Sequence, residues 1–345
     1  MSTVQTVNGV ISSDKLGMTL THEHIFLNLT YYWSGEPKET SKRKLYSQPV
    51  TLENRAEVLY APWAFKDDTI LDDMDNAIND VKAFIGFGGK SIVDVTASES
   101  MGRDSGALRY VSSITGANII MSSGRYSELS MTTEMKKMSV DDVKNVILDE
   151  FINGVGLTGI KPGVIKVACN DLSNEVEVTS LRAGARAQKE IGCAMYIHPV
   201  IWNFKDNELL DIVEQEGGDP HRIIFAHQDF TGQDPEYHSS IAKRGAYIEF
   251  DTFGCECACD PFDPNLFFRS DGQKIEYIQK QIALGNIDHI LMSGDMCLKV
   301  FLSKWGGWGY SHIPKHILPR MRGIGITEEQ ILRITVENPK RVLGH

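Results

Sequence analysis

Eight short runs of β-branched and apolar residues recur along this chain, and each is followed by a stretch with helical spacing. The runs are Met18 to Phe26, Ser91 to Ala97, Asn118 to Ser122, Gly163 to Ala168, Ala194 to Pro199, Arg222 to His227, Ala246 to Asp251 and Ile290 to Asp295. Eight strands alternating with helices are what a closed parallel (β/α)8 TIM barrel needs, so α/β is the expected class. Their near-continuous apolar character suits strands covered by helices outside and packed side chains inside.

The helices between them are legible. Ile70 to Phe84 repeats apolar residues at helical spacing, with Gly86 beyond its end. Ser139 opens a helix with a capping pattern that closes at Gly154, and Thr327 to Gln330 forms a capping box. Asp206 is the expected cap of the run from Glu208 to Val213. No linker or low-complexity stretch interrupts the pattern, so residues 1–345 read as one domain. The surplus over a bare barrel lies after strands one, seven and eight, in Asn28 to Lys66, Phe253 to Gly272 and Leu298 to His312. Long loops at one end of a barrel shape a binding site.

Hydrophobic residues make up 42% of the 345 residues and charged residues 23%, the balance of a soluble protein with a substantial core. No apolar stretch is long enough to span a bilayer, and the N-terminus shows no secretory pattern, so the cytoplasm is the expected location. The net charge of −11 argues against a nucleic-acid partner. A small-molecule substrate is the expected partner, without membrane, and a homodimer is allowed. Cys255, Cys257 and Cys259 alternate too closely to bridge one another and lack the usual zinc spacing, so reduced thiols are expected.

The chemistry starts at Thr21-His22-Glu23-His24. On a strand, residues i and i+2 share a face, so His22 and His24 point inward and Glu23 outward. Two imidazoles on one inward face are costly to bury unless they bind something, and neutral imidazole is a preferred ligand of zinc and similar cations. His198, His227 and Asp295 each end a strand, and Lys166 interrupts one, so all converge on the catalytic mouth of the barrel. A buried ammonium facing cations is the odd member. A depressed pKa, leaving a neutral amine, is the ordinary escape. The remaining histidines, His221, His238, His289, His312, His316 and His345, lie in helices or turns and receive no role.

The set His22, His24, Lys166, His198, His227 and Asp295, on strands one, four, five, six and eight, resembles the phosphotriesterase family of the amidohydrolase superfamily. The resemblance runs from Val7-Asn8-Gly9 to Leu343, and includes Gly102-Arg103-Asp104 and the segment from Gly159 to Lys166. It implies a binuclear centre of two divalent ions, zinc first and manganese or cobalt otherwise. Lys166 would carry a CO2-derived carbamate, an anion that bridges the metals. His22, His24 and Asp295 would hold the more buried ion and His198 and His227 the more exposed one. A bridging hydroxide would attack, with Asp295 as ligand and general base.

That set fixes a reaction class. The substrate belongs to the loops. Arg125 and Tyr126 follow strand three, Arg269, Lys274 and Tyr277 follow strand seven, and Lys299 follows Asp295. Basic groups near a metal site point to an anionic substrate tail, and Arg favours phosphate. Pairing of Arg125 or Arg269 with Asp260, Asp263 or Asp271 is the structural alternative. The expected activity is hydrolysis of an anionic lactone, a phosphorylated sugar lactone above all. The alternatives are a phosphotriesterase or carboxylesterase with an apolar substrate, and a barrel that binds without turnover.

Overall fold

A computed structural model describes residues 2–201, 204–258 and 267–345. Eight barrel strands run in order: β1 Thr19–Glu23, β2 Ser91–Asp94, β3 Asn118–Arg125, β4 Val164–Cys169, β5 Met195–Pro199, β6 Ile223–Phe225, β7 Tyr247–Phe250 and β8 Ile290–Met292. Each pairs in parallel with the next, with helices outside, as a TIM barrel requires. The β8–β1 seam is closed by single bonds: the His22 N–H donates to Ser293 Oγ at 3.0 Å, and the Asp295 N–H to the His22 carbonyl at 3.1 Å. All eight expected strands are present. Most stop short of their expected C-terminal ends, because the residues there turn out of the ladder to form the site.

Parity within the strands decides what faces the barrel axis. In β4, Ile165 and Val167 join the core between strands and helices, while Val164 joins an inner cluster with Ile120, Tyr196, Tyr247 and Leu291. Lys166 has the parity of Val164, His198 that of Tyr196, and Glu249 that of Tyr247. All three therefore enter the barrel. Val4, Leu16, Val342 and Leu343 belong to the same inner cluster, so both chain termini pack at its base.

Two local expectations are corrected. The helix expected from Ile70 spans Met74–Gly86, capped by Asp73 on the Asn76 N–H. Ile70–Leu71 instead pairs antiparallel with Leu27–Asn28, which ties down the start of the first long loop. Asp206 is the first helical residue and no cap. Lys205 holds the cap position without a side-chain bond, and the Asp206 N–H donates to the Tyr237 hydroxyl at 2.8 Å. The capping boxes at Ser139 and Thr327 form as expected, the first completed by Asp142.

The Gly102-Arg103-Asp104 turn has a structural purpose. Arg103 is buried, donates to both Glu150 oxygens at 2.7 and 2.8 Å, to Glu99 at 2.9 Å and to the Ser122 carbonyl at 2.9 Å. It pins the loop after β2 to β3. No helix among the described residues is long and apolar enough to cross a membrane.

Candidate metal centre and substrate cleft

His22, His24, Lys166, His198, His227 and Asp295 all line one cavity. The β1–β2 register shifts between Leu20 and Glu23, an irregularity that spans Thr21 and His22. Lys166 lies opposite Gly124 in the neighbouring strand. A side chain at Gly124 would meet the Lys166 carbonyl at 2.0 Å, so only glycine lets β3 and β4 approach there. His227 and Asp295 have φ of 60° and 44° and are the non-glycine residues with positive φ among those described. Such backbone costs about 1–3 kcal/mol and persists where the surroundings enforce it, commonly at functional sites.

The distances describe a converged donor set. Asp295 Oδ1 lies 3.3 Å from His24 Nε2 and 3.9 Å from His22 Nε2, and Lys166 Nζ lies 3.3 Å from His22 Nε2. His198 Nδ1 and His227 Nε2 are 2.7 Å apart. Donor atoms of His22, His227 and Asp295 all lie within 4.8 Å of one another, a group that could hold a metal ion.

The outer nitrogens of three rings are fixed from behind. His22 Nδ1 meets Glu249 and Asp251, each at 2.9 Å, His227 Nδ1 meets Asp251 at 2.9 Å, and His24 Nδ1 meets Thr96 at 2.8 Å. Acceptors on the δ nitrogens turn the ε nitrogens inward as donors to a cation, the usual arrangement behind metal-bound histidines. The donor set therefore fits cations that favour nitrogen and carboxylate ligands. Burial and the Lys166 charge push His22 down, but Asp251 and Glu249 outweigh them and hold it up at about 9. Burial pushes His198 well below the usual imidazole range, aided by the charges of His227, Lys166 and His22. It also pushes Lys166 down to about 8, against the pull of Asp251, Asp295 and Glu249. Burial opposes ionisation of Asp251, yet the His227 and His22 rings hold its carboxyl well below the usual range.

Glu249 and Asp251 had a sequence signal, since they alternate at the end of β7 on the parity that enters the barrel. Glu23, expected to point outward, is fully buried. Its carboxylate accepts from Ser293 Oγ and the Gly294 N–H at 2.8 Å and the Met296 N–H at 3.0 Å, holding the turn that carries Asp295.

The wall above is apolar and aromatic: Leu29, Tyr32, Trp63, Met101, Tyr126, Ile201, Phe230 and Phe268. Tyr32 stands edge-on to Trp63 at 5.7 Å, and Phe230 to Phe268 at 5.1 Å. Tyr126 reaches the donor set, its hydroxyl 3.3 Å from His198 Nδ1. Tyr32 and Trp63 come from the first long loop, whose aromatic content was the visible signal.

The basic residues are elsewhere. Arg125 donates to the Met135 carbonyl at 2.7 Å and points at Met138 Sδ, so it ties the loop after β3 to itself. Lys299 pairs with Asp67 at 2.7 Å, joining the loops after β8 and β1. Tyr277 is buried against Phe250 behind the barrel wall. Arg269 is half-buried, and its Nε meets no hydrogen-bond partner among the described residues. Asp260, Asp263 and Cys259 lie outside the described residues. Asp271 is taken by other groups: the Gly254 N–H at 2.9 Å, His312 Nε2 at 2.7 Å and Lys274 at 3.3 Å. None of Arg125, Arg269, Lys274, Tyr277 or Lys299 lines the cavity. The five described cysteines form no disulfide, and burial pushes Cys255 well up.

Lys274 is fully buried, and its ammonium also donates to the Thr252 carbonyl. Truncating one partner of a buried pair costs about 3–5 kcal/mol. Lys274→Met is therefore expected to lower the unfolding free energy by that much, read as a lower denaturation midpoint. Any loss of turnover should fall equally on charged and uncharged substrates. A stable variant that loses only anionic substrates would return Lys274 to a binding role.

The phosphotriesterase family profile matches residues 2–343. An N-acetyltaurine hydrolase from Danio rerio is 33% identical over 342 residues, covering 99% of this chain and 97% of that one. A resiniferatoxin-binding protein from Rhodobacter sphaeroides superposes with a TM-score of 0.94 at 34% identity, over 100% of this chain and 97% of that one. A lactonase from Listeria monocytogenes follows the same path with a TM-score of 0.79 at 26% identity, over 99% of each chain. With that profile spanning the barrel and the donor set at its mouth, the chain belongs to the phosphotriesterase family, a family of hydrolases.

Proposed function

We propose that this protein is a metal-dependent hydrolase with a binuclear centre that cleaves a carboxylic acyl bond, that of a lactone or an N-acyl amine, in a substrate bearing an apolar group. The observation that carries this is the juxtaposition of six convergent donors with an aromatic wall. The similarity to an N-acetyltaurine hydrolase and to a lactonase supports acyl chemistry. An anionic sugar lactone is less favoured, because the basic residues that would hold its charge lie outside the cleft.

His22, His24 and Asp295 would hold the deeper cation, His198 and His227 the outer one, and a carbamate on Lys166 would join them. Zinc suits this donor set, with manganese or cobalt as substitutes. Bound cations supply acidified water and polarisation of the acyl oxygen. The protein's own groups do the rest. Carbamate formation needs a neutral amine, and burial of Lys166 favours it by pulling its pKa down to about 8. Glu249 and Asp251 hold the His22 and His227 rings in one tautomer. Asp295 would accept the proton released as water attacks the acyl carbon and pass it to the leaving amine or alkoxide. Tyr32, Trp63 and Phe268 seat the apolar group and exclude water.

Protein loaded with zinc or manganese in bicarbonate is expected to carry about two metals per chain. It should hydrolyse N-acyl amines or lactones faster than phosphotriesters. Elemental analysis and a panel of N-acyl amines, lactones, esters and triesters test this. Preference for phosphotriesters would favour an organophosphate hydrolase. Tight ligand binding with no turnover would favour a binding barrel, the kind of protein its Rhodobacter relative is named for.

A further inference from the structure

Asn170 lines the cleft without belonging to the donor set. The β4–β5 register pairs Ala168 with His198, so Asn170 stands two residues beyond that level, about 7 Å nearer the mouth at a strand's rise. Its side chain is held by Glu177, from the first turn of the helix Glu175–Ile191. The buried Glu177 carboxylate accepts the Glu128 N–H at 2.9 Å and the Asn170 N–H at 2.6 Å, and faces Asn170 Nδ2 at 3.3 Å from each oxygen.

A carboxylate accepting backbone N–H groups offers no proton, so the amide nitrogen of Asn170 must face it. The carboxamide oxygen is thereby turned the other way. Among the described residues, none donates a hydrogen bond to that oxygen. Neighbouring polar groups of the wall are otherwise engaged: the Tyr32 hydroxyl donates to Ser127 at 2.8 Å, and the Thr252 hydroxyl to Asp229 at 3.1 Å. The wall thus includes, mouthward of His198, one carboxamide oxygen left without a donor among the described residues.

We propose that the Asn170 carboxamide oxygen accepts a hydrogen bond from the N–H of the substrate's acyl amide, and so selects N-acyl amines over esters and lactones of the same shape. This rests on the acyl-hydrolase reading and narrows it. An ester places an oxygen where the amide carries its N–H. Two acceptors then face one another, and a site built for a donor discriminates against the analogue lacking it.

N-(2-naphthyl)acetamide and 2-naphthyl acetate differ by that N–H against oxygen and suit the aromatic wall. Two measurements on the full chain read the contact, with Asn170→Leu as the near-isosteric variant. Binding to metal-free protein is measured by calorimetry, where no turnover intrudes. The parent is expected to bind the amide about tenfold tighter than the ester, as one hydrogen bond with an otherwise unpaired acceptor allows, and the variant is expected to lose that preference. In metal-loaded protein the amide-to-ester ratio of kcat/KM should fall by a similar factor. Ratios, not absolute rates, are compared, so partial misfolding of the variant does not mimic the result. Equal ratios in parent and variant, or no binding of either compound by the parent, would overturn the contact. A parent that prefers the amide in binding but hydrolyses neither compound would uphold the contact and overturn the hydrolase reading. Turnover with an unchanged ratio would do the reverse.

Discussion

Lys166→Ala protein is expected to emerge with at most about one metal per chain and with kcat reduced about a thousandfold or more. A binuclear site of the proposed kind would supply several kcal/mol of transition-state stabilisation, and each 1.36 kcal/mol is tenfold in rate. Lys166 sits on the inward parity of β4, 3.3 Å from His22, and is buried. Methyl in its place leaves a gap among the donors that a small carboxylic acid can enter. Added acetate or propionate should therefore restore part of the metal content and part of the rate. Lys166→Arg should not, because a guanidinium keeps its charge and cannot be carboxylated. Metal content and turnover measured with and without the added acid decide the matter. A fully active Lys166→Arg enzyme would show the lysine to be structural.

The fold and the donor set were legible because both follow strict periods. Eight apolar runs separated by helical spacing admit few architectures, and strand parity sends Lys166 and His198 inward; Glu249 shares that parity but was passed over. Side chains at the ends of those strands then meet whatever the loops do. The loop residues were not legible for the opposite reason. Nothing local in the sequence says that Arg125 will curl onto Met135, or that Lys274 will be drawn under the Thr252 carbonyl with Asp271. A basic residue near a mouth has many carbonyls and carboxylates within reach, and tertiary packing chooses among them. The aromatic wall was half legible: a first loop dense in Tyr and Trp is visible, but which rings face the cleft is not. Asp206 shows the same limit on a small scale. Its spacing suits a cap, yet it lies one position inside the helix, and its N–H donates to Tyr237 from the next helix.

Asp295→Asn separates holding the site from running it. Asp295 has φ of 44°, a left-handed conformation that asparagine tolerates nearly as well as aspartate, so the backbone turn should survive. The amide oxygen can still face His24 and His22, and the Glu23 carboxylate still holds the Gly294 and Met296 N–H groups. What the amide cannot do is accept a proton. Loss of a general base costs about 10²–10⁴ in rate. Asp295→Asn is therefore expected to retain the parent's thermal midpoint and most of its metal, while kcat falls by that factor and substrate binding changes little. Asp295→Ala should behave differently, losing metal with the ligand, and stability with it, because alanine pays the strain of positive φ without local compensation. Elemental analysis, thermal denaturation and kcat on one acyl substrate, taken together on both variants, test the assignment. Full turnover by a metal-replete Asp295→Asn would place the base elsewhere in the cleft and leave Asp295 as a ligand alone.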